Sequence, residues 1–446
     1  MAIFSRRRLQ AMLDDLGPFL ASDKAGDVLA RLEHKDTQSA LAAEFEVGLL
    51  WSLSRVGHLK VEPVFPKRRS QIDAMSDDLF SSGPVAIEIT ALSDDTFSGK
   101  ADMDRAANII VQFAKGVRKE ADKHLYFQFA ERSYYDKGHF HRVRCIDRDF
   151  SLAVEMKEKL STWLKSAEWQ ASQTIRLTGD EIDVVISWRQ SVHPLFRTHC
   201  SMPAVAYHAE DNPLYKALKK KERQLSGAPV EFMKCVFIGD AGCSILRQLK
   251  LLNSAGREIG GERIIRHFLA KSRIDAVCVF SPSRTPGFFG SLHSNLFWQV
   301  TIFPRQNGFE SQYESLRKLA ARLPRPNLEG YQARTRHLQG SLRPQERGQY
   351  LGSYMTSNGF SSTIKISARL VLEMLSGRLT PDQFRQSAFG KSANLLDSHL
   401  SRGMTIQDVR IEKSDLDEDD DHFVFHLDFD AAASPLTSPK TSRAKG

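Results

Sequence analysis

The chain has 446 residues, of which 41% are apolar and 26% are charged. These proportions are ordinary for a globular protein and exclude collagen-like, wholly disordered and integral membrane chains. The length is about three times that of a typical domain, which predicts more than one domain. No apolar stretch approaches the roughly 20 residues that a membrane span needs, and the five cysteines are scattered without a Cys-x-x-Cys pair. We therefore expect a cytoplasmic protein with no membrane partner.

The first 36 residues read as short helices, broken near Gly17. Apolar residues then recur at helical spacing from Thr37 to Val56, which predicts an amphipathic helix that Gly57 closes. Three strands are expected next, over residues 59–65, 70–75 and 85–90, with a turn at 81–84 before the third. A second helix over 102–124 and a strand over 125–130 follow.

The middle of the chain alternates strands and helices, which favours an α/β layer structure. The pattern predicts helices at 151–166, 243–252 and 260–271 and strands at 182–188, 231–238, 274–281 and 297–303. Beyond it we expect a mainly helical C-terminal region, with helices at 368–375 and 381–389 and an edge strand at 423–429. The predicted organisation is an N-terminal helical segment 1–36, an α/β domain 37–304, a basic linker or arm 305–349, a C-terminal region 350–430 and a disordered tail 431–446.

The formal charge of +8 is unevenly distributed along the chain. Residues 412–421 hold seven carboxylates and one lysine, so the rest of the chain is more basic than the total indicates. A basic surface favours a polyanionic partner such as DNA, because neutralised phosphates release counterions. We assign Lys219, Lys220 and Lys221 to phosphate contacts. Residues 305–349, which are rich in arginine and broken by prolines, fit either an arm along a phosphate backbone or a solvated connector.

Two carboxylates carry the chemistry that the sequence suggests. Asp73 follows Ile72, and in the segment VAIEIT Glu88 and Thr90 alternate with isoleucines, so Glu88 and Thr90 point to one face of a strand. If the strands on either side of the 81–84 turn pair, Asp73 and Glu88 converge. Two carboxylates this close repel each other unless a cation lies between them, and Mg²⁺ prefers oxygen ligands. The sequence therefore predicts a site for Mg²⁺ or Mn²⁺ held by Asp73 and Glu88.

The order of helix LAAEFEVGLLWSLSRVG, segment QIDAM and segment VAIEIT resembles the PD-(D/E)XK nuclease superfamily, which has the restriction-endonuclease-like fold. The resemblance directly covers about residues 40–130. It implies that a helix glutamate, an aspartate at the start of the second strand and an acid on the third strand build a metal site. Asp73 matches the aspartate, Glu88 the strand acid and Glu46 the helix acid, with Glu44 as the alternative.

Thr90 stands where the family usually has lysine, and a threonine supplies no positive charge to a transition state. Threonine is similarly found in mismatch-repair endonucleases of the very-short-patch type, and other branches take the lysine from a neighbouring element. The candidates for such a lysine are Lys100, Lys115 and Lys119. Lys115 and Lys119 are also expected to contact nucleic acid, since one helix face could present both.

The resemblance implies a Mg²⁺-dependent endonuclease that hydrolyses DNA, in bacterial antiviral defence or DNA processing, with a homodimer or a defence partner protein as further expectations. The alternative is a catalytically inactive DNA-binding or scaffold protein of the same fold. Asp73 could instead simply end a strand, and Glu88 could face solvent. Other motifs are weaker: the turn 239–242 could cradle a phosphate but reads better as a plain strand-to-helix turn, Cys243 as a buried thiol, and the histidines near 139–141 and 193–200 as structural or solvated.

Overall fold

A computed structural model provides the structure. It describes residues 2–34, 36–63, 65, 71–136, 138–166, 173–189, 198–201, 204–247, 249–250, 258–284, 296–339, 354–357, 361–377, 379–389, 395–413 and 421–433. His193, residues 414–420 of the acidic run and the tail from residue 434 onward lie outside the described residues. In the part of the chain that is described, no helix is both long enough and apolar enough to cross a membrane.

The chain divides into two compact units. The first comprises Met1–Phe4 and Leu9–Arg334, and the second comprises Ser5–Arg8 and Thr335–Gly446. The described helices, in chain order, are α1 Arg6–Leu16, α2 Ser22–Leu32, α3 Thr37–Val56, α4 Asp94–Ser98, α5 Lys100–Val117, α6 Val154–Lys165, α7 Pro213–Leu225, α8 Ser244–Arg247, α9 Gly261–Ala270, α10 Tyr313–Arg322, α11 Gly330–Gln339, α12 Ala368–Leu375, α13 Pro381–Phe389 and α14 Leu395–Ser401.

The described strands form four sheets. They are β1 Leu59–Val61, β2 Ala74–Phe80, β3 Gly83–Leu92, β4 Leu125–Phe129, β5 Glu131–Asp136, β6 His139–Arg144, β7 Thr174–Gly179, β8 Ile182–Trp188, β9 Thr198–Cys200, β10 Met233–Asp240, β11 Ala276–Arg284, β12 Leu296–Pro304, β13 Tyr354–Ser357, β14 Ser361–Ser367, β15 Met404–Glu412 and β16 His422–Phe429.

A six-stranded mixed sheet is the centre of the first unit, with strand order β1-β2-β3-β10-β11-β12. The strands β1, β2 and β3 form an antiparallel meander, whereas β3, β10 and β11 run parallel and β12 closes the sheet antiparallel. Antiparallel neighbours need only short turns, but parallel neighbours need a crossover. The crossover from β3 to β10 contains about 140 residues, and it includes both α5 and α7.

Each face of this sheet is covered by its own apolar cluster. Since side chains alternate along a strand, Ile87 and Ile89 of β3 pack with α3 and α10 on one face. Ala86 and Leu92 of the same strand pack with α7 and α9 on the other. On the face covered by α3, the sheet and the helix approach closely at Gly239 of β10. A Cβ at this position would lie 2.3 Å from the ring of Phe45 in α3. The sheet and its helices therefore form three layers.

The crossover between β3 and α7 carries a smaller α/β body with its own core. The sheet β7-β8-β4-β9 packs against α5 and α6 around residues such as Ile110, Phe127 and Leu160. The strands β5 and β6 form a separate two-stranded hairpin. This body is part of the first unit.

The second unit is built on an antiparallel sheet of order β13-β14-β16-β15. Its core contains Ile364 and Ile366 of β14, Leu370 of α12, Phe384 of α13 and Leu427 of β16. The side chain of Ser367 begins α12 by accepting a hydrogen bond from the amide of Leu370. The prediction of a mainly helical C-terminal region is therefore wrong in this part of the structure, although the helices at 368–375 and 381–389 and the strand at 423–429 are present.

The structure confirms the predicted α/β layers and most element positions. The helix over Thr37–Val56 has the predicted bounds, and Asp36 begins it by accepting a hydrogen bond from the amide of Ser39. The segment 305–349, predicted as a linker or arm, instead contains a helix of the first unit. Leu316 and Leu319 of this helix, α10, are buried in the core of that unit. An apolar helix stripe of this kind packs on a core, so α10 belongs to the first unit. The boundary between the units falls at Arg334, inside the segment that was predicted as a linker. Residues 340–349 of that segment lie outside the described part.

Candidate functional site

Asp73 and Glu88 lie side by side on the face of the central sheet that α7 covers. Ala74 of β2 pairs with Ile87 of β3, so the antiparallel register continues with Asp73 opposite Glu88. Directly opposite residues on antiparallel strands point to the same face. The amide of Ile89 donates a 2.7 Å hydrogen bond to Oδ2 of Asp73, which fixes that carboxylate beside the middle of β3. The convergence predicted from the turn at 81–84 is therefore present.

A lysine joins the two carboxylates. Nζ of Lys221 lies 2.6 Å from Oε2 of Glu88 and 3.0 Å from Oδ2 of Asp73. The side chain of Glu88 is 0% exposed, and those of Lys221 and Asp73 are 13% and 17% exposed. Hydrogen bonds between charged groups are the stronger kind, and the low exposure shields these from water.

The helix α7 places Lys221 by its apolar periodicity. Asn212 begins this helix by accepting a hydrogen bond from the amide of Tyr215, and Pro213 takes the first turn. Leu214, Leu218 and Leu225 are buried against the sheet. Lys221 lies seven residues after the first of these and four before the last, so it lies on the same stripe and points inward.

Burial and charge perturb the acid in this group strongly. Burial, with a further contribution from the charge of Asp73, raises the pKa of Glu88 to about 8, although Lys221 acts in the opposite direction. For Lys221, burial alone lowers the pKa, but the charges of the two carboxylates outweigh it and the pKa is raised. The lysine is thus held as a cation, while Glu88 titrates near neutral pH.

One oxygen of this group has no donor within the described structure. Oε1 of Glu88 is buried and accepts no hydrogen bond there. A buried acceptor without a partner costs free energy, so it is a natural position for a ligand atom or a cation. No cluster of three or more His, Cys, Asp or Glu that could hold a metal ion is found among the described residues. Mg²⁺ does not require one, because one or two carboxylates suffice when water and phosphate complete its shell.

The lysine beside the two carboxylates comes from an element that the sequence did not nominate for that position. Thr90 is two residues beyond Glu88 on the same strand, as predicted, and is partly buried. However, the ammonium at the carboxylates belongs to Lys221, which the sequence assigned to the phosphate backbone. The three proposed substitutes lie in or just after α5, where Lys100 pairs with Asp104 and Lys115 with Asp122. Lys119 follows the end of α5 at Val117, so it does not continue the helix face of Lys115.

The lysines at 219–221 do not form one basic patch either. Lys219 pairs with Glu222 at 2.8 Å and lies over the ring of Phe268. Lys220 is exposed, and Lys221 points into the sheet. Consecutive helical residues point about 100° apart, so a run of three cannot share one face. Of the three, Lys220 is the most exposed to solvent.

The helix acids serve other contacts. Glu46 binds Lys24 at 2.8 Å and Arg31 at 2.6 Å, which ties α2 to α3. Burial raises the pKa of Glu46, but these two cations outweigh it and the pKa is lowered. Lys24 also binds Glu62 at 2.7 Å, and the amide of Glu62 donates to the carbonyl of Asp73. Glu46 is thus connected to Asp73 through two intermediates rather than through a shared ligand site.

The alternative helix acid, Glu44, has a structural role. Its carboxylate accepts hydrogen bonds from the amides of Ala2, Ile3 and Phe4 at 2.8–3.1 Å. Burial raises the pKa of Glu44, and these amides offset part of that effect. Glu44 therefore holds the segment before α1 against α3.

The turn at 239–242 holds carboxylates instead of a phosphate. Oδ1 of Asp240 accepts hydrogen bonds from the amides of Gly242 and Cys243, and Asp94 accepts from the amide and hydroxyl of Ser244. Gly242 has a φ of +89° and touches the backbone of the α11 start, which explains the glycine there. The side chain of Cys243 is buried, which raises its pKa, so it is a structural thiol and not a nucleophile.

Comparison with known proteins adds no further identification. The chain matches no family model, no curated protein and no solved structure. Its function is therefore inferred from the geometry of Asp73, Glu88 and Lys221.

Proposed function

We propose that the chain is a metal-dependent nuclease that hydrolyses phosphodiester bonds in DNA, with Asp73, Glu88 and Lys221 as its active site. The observation that carries the proposal is that these three side chains meet within hydrogen-bonding distance on one sheet face. The order of helix, strand, Asp73 before the second strand and Glu88 on the third is the order expected for the PD-(D/E)XK superfamily. The lysine that the strand lacks is supplied here by α7.

The residues fit a hard divalent cation. Glu88 offers a buried oxygen that lacks a hydrogen-bond donor in the described structure, and Asp73 lies opposite with a partly exposed carboxylate. Asp73 and Glu88 would hold Mg²⁺ or Mn²⁺, which would polarise the phosphodiester and lower the pKa of an attacking water. The two ionised carboxylates repel each other, and Lys221 offsets part of this repulsion. A bound metal ion would offset more of it.

The chain's own residues have separable roles in this proposal. Lys221 keeps its positive charge, so its ammonium can donate a hydrogen bond to a phosphate oxygen and stabilise charge that develops in the transition state. Its two carboxylate partners restrict the position of the ammonium before substrate arrives. Thr90 can donate or accept one hydrogen bond beside Glu88, but it carries no charge.

The decisive experiment is cleavage of labelled DNA by purified protein with Mg²⁺ or Mn²⁺. We expect Asp73→Ala, Glu88→Ala and Lys221→Ala each to reduce cleavage by about 10²-fold or more, since each removes a group that contacts the reacting centre. Lys216→Ala is the matched control, because it removes an exposed lysine of the same helix that pairs with Asp211 and not with Asp73 or Glu88. Cleavage that survives in all three site variants would contradict the proposal.

The inactive alternative has one observation in its favour: with Glu88 protonated, as its pKa of about 8 favours at pH 7, Asp73 and Lys221 balance each other's charge without a ligand. In that case the protein would bind DNA, and neither Mg²⁺ nor Mn²⁺ would give cleavage of single-stranded or double-stranded substrates. A gel-shift titration beside the cleavage assay separates the two functions. Binding with no product in either metal would replace the hydrolase by a DNA-binding protein.

A further inference from the structure

The second unit exposes an unusual amount of apolar surface. Half of the large apolar side chains that are exposed in the described structure belong to this smaller unit. They are Met355, Leu372, Leu375, Leu400, Ile406, Val409, Ile411 and Phe429. Scattered exposed residues need no explanation, but concentration of this kind marks an interaction surface.

Three of these residues lie on one strand at the edge of the sheet. Ile406, Val409 and Ile411 belong to β15, and they are 52%, 49% and 55% exposed. Within the described residues β15 pairs with β16 alone, so its other edge presents free backbone amides and carbonyls. Nine residues is long for an edge strand, and long apolar edges are templates for pairing with another strand.

The apolar face of β15 continues the core face of its own sheet. Val409 lies opposite Phe425, and Phe425 lies opposite the buried Ile364. Two residues further along β15, Ile411 lies opposite Phe423, and Phe423 lies opposite Ile366. The core side of the sheet therefore extends past the helices to β15, where it is left half exposed. A further strand beside β15 would cover it.

We propose that β15 pairs antiparallel with β15 of a second copy of this chain, which makes one eight-stranded sheet across a two-fold axis. Such an interface is isologous, so the strand must be complementary to itself when reversed. This inference does not depend on the nuclease proposal, because it uses only residues of the second unit.

The charges of β15 and the length over which two copies overlap together select one register. With the axis at Val409, Asp408 of each copy lies opposite Arg410 of the other, because opposite residues then lie equally far from Val409. An axis at Asp408 or at Arg410 would place like charges face to face. An axis at Ile411 would pair Arg410 with Glu412, but only residues 410–412 of the two strands would then overlap, whereas an axis at Val409 lets residues 406–412 overlap. The alternation of Asp408, Val409 and Arg410 is thus self-complementary, which is the reason to choose a second copy over an unrelated partner.

The test is a charge swap followed by sedimentation equilibrium. We expect the wild-type chain to dimerise, and Asp408→Arg or Arg410→Asp alone to weaken the dimer by about tenfold or more, because each creates two repulsive pairs across the axis. The double variant D408R/R410D restores two attractive pairs and should return the dissociation constant to within about threefold of wild type. Circular dichroism checks that each variant is folded.

A cysteine at the axis tests the register directly. Val409→Cys would bring two thiols together at the distance between opposite strand residues, about 4.5–5.5 Å between Cα atoms, which a disulfide can span. We expect a covalent dimer on mild oxidation, and none from Val230→Cys, whose parent side chain is 94% exposed in the first unit. A wild-type chain that stays monomeric at about 100 μM would have a dimer dissociation constant well above about 100 μM, and that result would overturn the proposal. So would a double variant as weak as the single ones.

Discussion

The pKa of Glu88 makes a quantitative prediction about metal binding. A metal ion needs the ionised carboxylate, so binding below a pKa of about 8 must displace a proton. The ionised fraction is about 1% at pH 6, about 10% at pH 7 and about half at pH 8. The apparent affinity for Mn²⁺ should therefore increase about tenfold from pH 6 to pH 7, about fivefold from pH 7 to pH 8, and little above pH 9.

Isothermal titration calorimetry with Mn²⁺ measures both quantities. At pH 7, two buffers with different ionisation enthalpies should give the release of about 0.9 proton per ion. Lys221 lowers the pKa of Glu88, so Lys221→Gln should move the pH transition upward. Glu314→Gln is the matched control, because Glu314 is an exposed glutamate of α10 in the same unit, and it should leave the curve unchanged.

Two results would refute this reasoning. An affinity for Mn²⁺ that is constant from pH 6 to pH 9 with no proton release would mean that Glu88 is already ionised or does not bind the ion. Unchanged binding in Glu88→Gln would place the ion elsewhere. Either result would remove the metal site from the proposal, while the geometry of the triad would still require another explanation.

Three further predictions concern stability and use chemical denaturation. Lys221→Ala should lower the free energy of unfolding by about 3 kcal/mol, because it leaves two buried carboxylates without their cation, whereas Lys220→Ala should change it by less than about 0.5 kcal/mol; equal effects would contradict the buried ion pair. Glu46→Gln should destabilise the protein by about 2 kcal/mol through its two ion pairs and yet leave cleavage within about threefold, so a stable but inactive variant would place Glu46 in the active site after all. Gly239→Ala should cost more than about 2 kcal/mol, since its Cβ would overlap the ring of Phe45, and a neutral effect would mean that α3 is not packed as closely on the sheet as described.

The sequence was sufficient for the half of the site that depends on strand pairing. A short turn joins β2 and β3, so the two strands pair and bring Asp73 opposite Glu88. Alternation along each strand determines which side chains share a face, and local patterns therefore predict that these two carboxylates meet. Lys221 depends on an element 133 residues away from Glu88. No local rule brings α7 to β3, and a row of three lysines suggests a solvated surface.

A signal for Lys221 was nevertheless present in the sequence. The leucines at 214, 218 and 225 define an apolar stripe on α7, and position 221 lies on that stripe. A lysine among residues that must be buried requires an anionic partner, and the acids at 73 and 88 need a cation. Matching the two requirements predicts the contact without any structure.

The second unit was predicted less well for a different reason. Its strands β13 and β15 lie at sheet edges, where residues are exposed on both faces and polar residues interrupt the apolar alternation. Periodicity therefore indicated helices, which are present, but missed three of the four strands, β13, β14 and β15. Tertiary pairing rather than local pattern defines these strands.

The position of α7 after the crossover has a consequence for synthesis of the chain. Asp73 and Glu88 leave the ribosome long before Lys221, and the smaller body with α5 and α6 is made in between. Until α7 docks, the two acids lack the positive charge of Lys221, and a proton on one of them relieves the repulsion between the carboxylates. A nascent or truncated chain would thus contain the two acids without their lysine, and the group of Asp73, Glu88 and Lys221 would form only after α7 has been made.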